Sequence, residues 1–118
     1  MSSAAGELER GLLGEELSGV TFVRDYLQLQ FNPPRVLNAL TPVTVTTASA
    51  SAILGEPDFA NLLIGQINKC VRAVEFSESV ACRLIFDDRS VISISLKPED
   101  YVGAEAIYFR GDGTGVVE

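Results

Sequence analysis

The sequence predicts an α+β protein that is rich in β-structure and consists of two related units, each a helix followed by an antiparallel meander. Runs in which apolar and polar residues alternate outnumber runs with helical spacing. In addition, LQLQF at 27–31 superposes on CRLIF at 82–86, and the same shift superposes Val36-Leu37 on Val91-Ile92. Because each unit has an apolar face that it cannot bury alone, the two units are expected to pack as a sandwich or a partly closed barrel.

The composition is typical of one folded domain. Of the 118 residues, 47% are hydrophobic and 21% are charged, and a domain of this size buries roughly two thirds of its unfolded surface. We expect a single domain over residues 1–118, in which 1–6 and 111–118 are tails that could be disordered.

A short amphipathic helix is predicted over residues 7–17. Its apolar side consists of four leucines at helical spacing: Leu8, Leu12, Leu13 and Leu17. Gly11 and Gly14 interrupt this helix, and a glycine in a helix interior costs about 1 kcal/mol relative to alanine. The helix therefore needs a surface on which to pack, and the alternative is a frayed terminus.

Alternation from Gly19 onward predicts half-buried strands up to Phe31. The segment 32–35 reads Asn-Pro-Pro-Arg and predicts a hairpin turn, because two prolines remove two backbone donors. Residues 36–40 form the return strand. Residues 42–47 form a further strand, and the alanines and serines that follow it form a loop or continue an edge strand.

The second half of the chain begins with a predicted helix between Glu56 and Gly65, which has proline near its start and glycine at its end. Four strands should follow, at 69–76, 80–86, 91–96 and 106–109.

The hairpin around residue 89 has a predicted register. Six apolar residues lie on one face in three facing pairs: Phe86 with Ile92, Leu84 with Ile94, and Cys82 with Leu96. This pairing requires an odd loop, Asp88-Arg89-Ser90. Three-residue loops usually hold one residue in the left-handed region, so Arg89 is expected to be mildly strained.

The two cysteines, Cys70 and Cys82, are expected to be buried free thiols. In a hairpin that turns near Ser77, the register that puts both on one face separates them by more than about 10 Å. A disulfide does not span that distance.

The charge distribution argues against a nucleic-acid partner. The net charge is -7, and the nine basic residues are scattered, whereas nucleic-acid binding uses a basic stripe. No stretch approaches the roughly 18 apolar residues of a membrane span, and the amino terminus lacks the features of a signal peptide. We expect a cytoplasmic protein that binds neither nucleic acid nor membrane.

Histidine is absent, which removes the commonest general base at neutral pH and most zinc sites. Carboxylates remain at Asp87-Asp88, Glu99-Asp100 and Glu105, but acidic residues at turns usually act as solvated turn formers. The sequence therefore predicts no catalytic residue, no metal site and no cofactor.

Residues 98–109 place polar and aromatic side chains in one short connection, which could line a pocket or close the end of a barrel as a lid. The candidate ligand-binding residues of the chain are Tyr26, Arg83, Asp100, Tyr101 and Glu105.

Three segments resemble a group of short uncharacterised bacterial proteins: FVRDYLQL at 22–29, FDDRSVISISL at 86–96 and PEDYVGAEAIYF at 98–109. The resemblance covers most of the chain. Arg89 stands where that group often has glycine, and Ala104 stands where it often has proline. The resemblance implies a bacterial origin and carries no activity.

Three functional hypotheses follow. The first is a stand-alone, non-catalytic binding or interaction module, a homodimer, with a protein partner or a small ligand and a regulatory or immunity-type role. The leading helix and the outer strands, which must be paired or covered, favour it. The second is a small β-barrel that holds an apolar or aromatic ligand. The third is an enzyme that uses carboxylates without histidine.

Overall fold

The alternating segments of the sequence form strands throughout the computed structural model, which describes residues 4–24, 26–111 and 115–118. The helices and the 3-10 turn are α1 (Ala4–Leu12), α2 (Phe59–Ile64) and Pro98–Asp100. The strands are β1 (Gly19–Val23), β2 (Tyr26–Gln30), β3 (Val36–Ala39), β4 (Val43–Thr46), β5 (Ser51–Ile53), β6 (Val71–Ser77), β7 (Ala81–Phe86), β8 (Val91–Ser95), β9 (Ile107–Arg110) and β10 (Gly115–Val117).

These strands form two five-stranded antiparallel sheets, with the orders β1-β2-β3-β9-β10 and β5-β4-β8-β7-β6. The prediction of an α+β, β-rich fold is confirmed at this level. A closed barrel is not found among the described strands, because each sheet ends in two edge strands. Helix α1 contacts β6 and β10, and α2 contacts β1 and β5, so each helix covers one edge strand from each sheet.

The chain crosses between the sheets twice, and the two crossings lie side by side. Residues 40–42 connect β3 to β4, and residues 96–106 connect β8 to β9. Between the crossings, the amide of Leu40 donates to the carbonyl of Ala106 over 2.8 Å, and Thr41 Oγ1 donates to the carbonyl of Ser95 over 2.6 Å. These bonds join the two sheets at one end of the molecule.

One hydrophobic core contains buried side chains from both sheets and both helices. The largest of them are Phe31, Phe59, Phe86 and Phe109. Strands β2, β3, β4, β5, β7, β8 and β9 contribute through alternate residues, which is why the period-two pattern identified them. Strand β1 has no buried residue.

The predicted bounds of the first helix are wrong at both ends. The helix begins at Ala4, inside the predicted tail, and ends at Leu12, because Gly14 adopts a φ of 81° and leaves the helical path. Leu13 is exposed, while Leu17 is buried beyond the helix. At the other end of the chain, Gly115–Val117 pairs with β9, and the predicted tail residues 1–3 and 112–114 lie outside the described residues.

The β7–β8 hairpin keeps the predicted apolar face but differs in register. Leu84 lies opposite Ile92 and Cys82 lies opposite Ile94, two residues away from the predicted pairing. The loop still has three residues but lies one position earlier, at 87–89, because the amide of Phe86 donates to the carbonyl of Ser90 over 2.8 Å. A shift of two residues leaves the same side chains facing the core.

Arg89 has a φ of 73°, as predicted, and its replacement by glycine is expected to raise the free energy of unfolding by about 0.5–1 kcal/mol. Glycine adopts this conformation without the steric penalty of a Cβ. Urea unfolding of Arg89→Gly and Arg89→Ala separates the backbone effect from loss of the side chain. Equal stability of the two variants would contradict the prediction.

An ion-pair cluster ties this loop to the segment after α2. Lys69 Nζ lies 2.6 Å from Asp88 Oδ2 and donates to Gln66 Oε1 over 3.1 Å and to Ser90 Oγ over 3.2 Å. The hydrogen bond from Lys69, together with those from Ser90, lowers the pKa of Asp88 from 3.8 to about 2.

Replacing Asp88 by asparagine is therefore expected to lower the free energy of unfolding at pH 7 by about 1 kcal/mol or less, since the carboxylate is partly solvated. A lowered folded-state pKa stabilises the protein fully above pH 3.8, and this stabilisation is lost as the pH falls through about 2. Urea unfolding at pH 7, 4 and 2 measures the difference, with Asp87→Asn as the control in the same loop. A cost that is equal at pH 7 and pH 2 would contradict an ionic origin.

Both cysteines are free, as predicted. Cys82 is fully buried, whereas Cys70 is only half-buried, so the prediction of two buried thiols is wrong for Cys70. Cys70 directly precedes β6, and its carbonyl accepts a hydrogen bond from the amide of Asp87. Cys82 lies opposite Phe76, near the other end of that strand pair.

Candidate functional site

Two of the five candidate ligand-binding residues lie together. Tyr26 and Glu105 line a pocket of about 270 Å³, which we call the outer-face pocket because it lies on the outer face of the sheet that contains β2, β3 and β9. The other lining residues are Gln28, Asn38, Leu40, Tyr108 and Arg110.

The lining of the outer-face pocket contains a buried polar atom for which the described residues supply no partner. Asn38 Nδ2 donates to the carbonyl of Tyr108 over 3.3 Å, but Asn38 Oδ1 is buried and accepts no hydrogen bond from the residues that the structure describes. A buried acceptor of this kind is costly when it stays unsatisfied. The same pocket is lined by two tyrosines, by Gln28 and by the oppositely charged Glu105 and Arg110, a composition that suits a small polar ligand.

The other three candidate residues lie elsewhere. Arg83 forms an exposed ion pair with Glu75 across β6 and β7, with 2.8 Å between Nη1 and Oε1. Asp100 Oδ2 accepts a hydrogen bond from the Ser95 hydroxyl over 2.5 Å. Tyr101 packs against the core. Of the five predicted residues, the structure therefore brings only Tyr26 and Glu105 to the same pocket.

A second concave surface was not predicted. It has a volume of about 430 Å³ and lies where the end of β1 meets the end of β5; we call it the open groove. Its lining residues are Phe22, Val23, Arg24, Tyr26, Leu27, Ala39, Leu40, Thr41, Pro42, Ile53, Leu54, Gly55 and Val102.

Five large apolar side chains of the open groove are exposed to solvent. Their exposed fractions are 49% for Phe22, 37% for Val23, 41% for Ile53, 41% for Leu54 and 93% for Val102. Single exposed apolar residues are common on protein surfaces, but a contiguous set is not. Here all five line one concave surface.

The base of the open groove is anchored to the core, and one of its described lining residues is charged. The ring of Phe22 packs edge-to-face on Phe59 of α2, with 6.2 Å between ring centroids, and this contact anchors one wall to the core. Leu27 and Ala39 form buried parts of the floor. Arg24 is the charged lining residue, and it forms no ion pair with the part of the chain that the structure describes.

The sequence contained a weak signal for this surface. Phe22 and Val23 are adjacent apolar residues at a strand end, and Ile53 and Leu54 are another such pair, so in each pair one side chain cannot follow the inward alternation. What the sequence did not give is that β1 and β5, which belong to different sheets, end beside each other. The groove therefore depends on the order of strands in the two sheets.

Comparison of the chain with protein-family models, with characterised proteins and with solved structures finds no match. Among the described residues, none of the helices is long and apolar enough to cross a membrane. The same residues contain no group of three or more side chains that could hold a metal ion.

Proposed function

We propose that this protein is a non-catalytic interaction module that binds a protein partner in the open groove. The observation that carries the proposal is the set of five exposed apolar side chains on one concave surface. Contiguous exposed apolar patches on proteins often mark interaction sites.

The apolar lining of the open groove supports this proposal. A stable protein–protein interface buries about 800 Å² on each partner, and its centre is more apolar than its rim. Five partly exposed apolar side chains supply such a centre. The surrounding surface would provide the polar rim.

We further propose that the fold consists of two related units, whose strands form the two sheets of a sandwich. In β2 and β3, Leu27 lies opposite Ala39; in β7 and β8, Cys82 lies opposite Ile94, which is the same pairing under the shift that superposes 27–31 on 82–86. The preceding strands match with an offset of one residue, because the β6–β7 turn is one residue longer than the β1–β2 turn: Phe22 lies opposite Leu27 and Phe76 lies opposite Cys82. In this arrangement each unit gives its last two strands to the other unit's sheet.

The proposal is tested by affinity capture from cells of the source organism. Wild-type protein and the groove variant Leu54→Glu serve as baits, and Val80→Glu is the matched control, because Val80 is an exposed valine outside the lining of the open groove. A stoichiometric partner retained by wild type and by Val80→Glu, but lost by Leu54→Glu, supports the proposal. A partner that all three baits retain equally would contradict it.

Analytical sedimentation of the same three proteins tests the alternative that the protein is a homodimer and that a second copy occupies the open groove. A dimer that only Leu54→Glu dissociates would identify a second copy as the occupant of the open groove. The two free cysteines are in keeping with a reducing compartment. We therefore propose that the protein acts in the cytoplasm.

A second candidate function is the binding of a small polar ligand in the outer-face pocket. The unpartnered Asn38 Oδ1 favours it, since a ligand hydroxyl or amide could donate to this atom if a neighbouring side chain moves aside. Native mass spectrometry of the purified protein tests it. A bound small molecule that Asn38→Leu loses would support the pocket, and wild-type protein that carries no added mass would count against it.

A further inference from the structure

The two crossings between the sheets differ in length, and the shorter one lines the open groove. Under the shift that relates the two halves, the crossing at 40–42 corresponds to the start of the crossing at 96–106. The longer crossing contains the Pro98–Asp100 turn and Tyr101. The shorter crossing has no counterpart for these residues.

Tyr101 borders a crevice of about 340 Å³ that matches the open groove in position. It lines this crevice together with Phe76, Leu96 and Pro98 and packs against the core. Phe76 lies opposite Cys82 on the neighbouring strand, as Phe22 lies opposite Leu27. The open groove is therefore the surface on which a counterpart of Tyr101 would lie in the other half.

The exposures of the two matching phenylalanines agree with this correspondence. Phe76, which has Tyr101 beside it, is half-buried. Phe22, which has no such neighbour, is 49% exposed, although its ring also packs on Phe59. Covering Phe22 with another aromatic ring would remove apolar surface from water at both rings.

We propose that the open groove binds an aromatic side chain carried by an extended segment of a partner protein, in the position that Tyr101 takes in the other half of this chain. The proposal rests on the proposed function and names the chemistry of the partner. A groove of about 430 Å³ has room for one aromatic side chain and its apolar neighbours.

The charge of the open groove adds a second requirement for the segment. Arg24 lies at the groove, where the matching position beside Phe76 has Glu78, so the partner segment should place a carboxylate next to its aromatic residue. A second copy of the chain fits less well. A two-fold contact would bring together two chains of net charge -7 and two Arg24 side chains, which repel each other.

The test uses blocked synthetic peptides with the sequence of residues 98–103, PEDYVG, which contain an aromatic residue next to carboxylates. Binding to the full 118-residue protein is followed by ¹⁵N–¹H correlation spectra. We expect a dissociation constant of about 0.1–1 mM, with shifts at the open groove. A peptide with alanine in place of tyrosine should bind at least about tenfold more weakly.

Protein variants locate the site. Leu54→Glu should abolish peptide binding, Arg24→Glu should weaken it by about three- to tenfold with a loss of its salt dependence, and Val80→Glu should leave it unchanged. Thermal unfolding of each variant shows that the fold is retained. Equal binding of the tyrosine and alanine peptides, or shifts confined to another surface, would overturn the proposal.

The outcomes separate this proposal from the function on which it rests. If no peptide binds and Leu54→Glu still abolishes capture of a protein partner, the aromatic occupant is wrong and the interaction module stands. If sedimentation shows a dimer that Leu54→Glu dissociates, the occupant is a second copy and the proposal is overturned. If the tyrosine peptide binds but capture of the cellular partner does not depend on the open groove, the groove does bind an aromatic side chain, and the proposed function is wrong.

Discussion

Replacing Gly11 by alanine is expected to lower the free energy of unfolding by about 1–3 kcal/mol. A Cβ at Gly11 would lie 2.6 Å from both Cε2 and Cζ of Phe109, well inside the contact distance of two carbon atoms. Phe109 is fully buried, so its ring has little room to withdraw. The overlap should outweigh the gain in helix propensity of about 1 kcal/mol.

Equilibrium urea unfolding measures this effect, and two further variants test whether the contact with Phe109 causes it. Glu9→Ala changes an exposed position of the same helix and should alter stability by less than about 0.5 kcal/mol. In a Phe109→Leu background, Gly11→Ala should cost less, because the atoms it meets are removed. A Gly11→Ala protein as stable as wild type would show that α1 shifts outward at no cost.

Gly11 also shows where reasoning from the sequence stopped. On propensity alone, a glycine inside the helix weakens it, and this was the prediction. The contact with Phe109, almost a hundred residues further along the chain, gives the glycine a packing role that no local pattern contains. Propensity describes an isolated helix, whereas this glycine is explained by the surface on which the helix lies.

Most elements were predictable because their cause is local. Alternation identified most strands, and the prolines at 33 and 34 identified the turn of the β2–β3 hairpin. The register of the β7–β8 hairpin was missed by two residues, since a shift of two keeps the same face inward and apolar pattern cannot detect it. The hydrogen bond between Phe86 and Ser90 fixes it instead.

The candidate site was predictable only in part, for a different reason. Tyr26 and Glu105 meet because β2, β3 and β9 are neighbours in one sheet, and this order follows from the two crossings. Sequence reasoning had treated the halves as separate meanders, so it could not bring β9 beside β3 or β1 beside β5. Both concave surfaces are built at these junctions.

The two thiols should differ by at least about a thousandfold in their rate of reaction with a disulfide reagent at pH 8. Burial raises the pKa of Cys82 to about 12, so only about one molecule in ten thousand carries the reactive thiolate at that pH. Its side chain is fully buried as well. Cys70 directly precedes β6 and is only half-buried, so the reagent should reach it more readily.

Ellman's reagent follows the reaction at 412 nm, and the Cys70→Ala and Cys82→Ala variants assign the two phases. The slow phase of wild type should persist in Cys70→Ala, and both thiols should react at equal rates in 6 M guanidinium chloride. Because Cys82 is fully buried in the folded protein, its rate also reports the opening of the sheet around β7. Rapid reaction of folded Cys70→Ala would mean that β7 is open to solvent and that its core contacts do not form in solution.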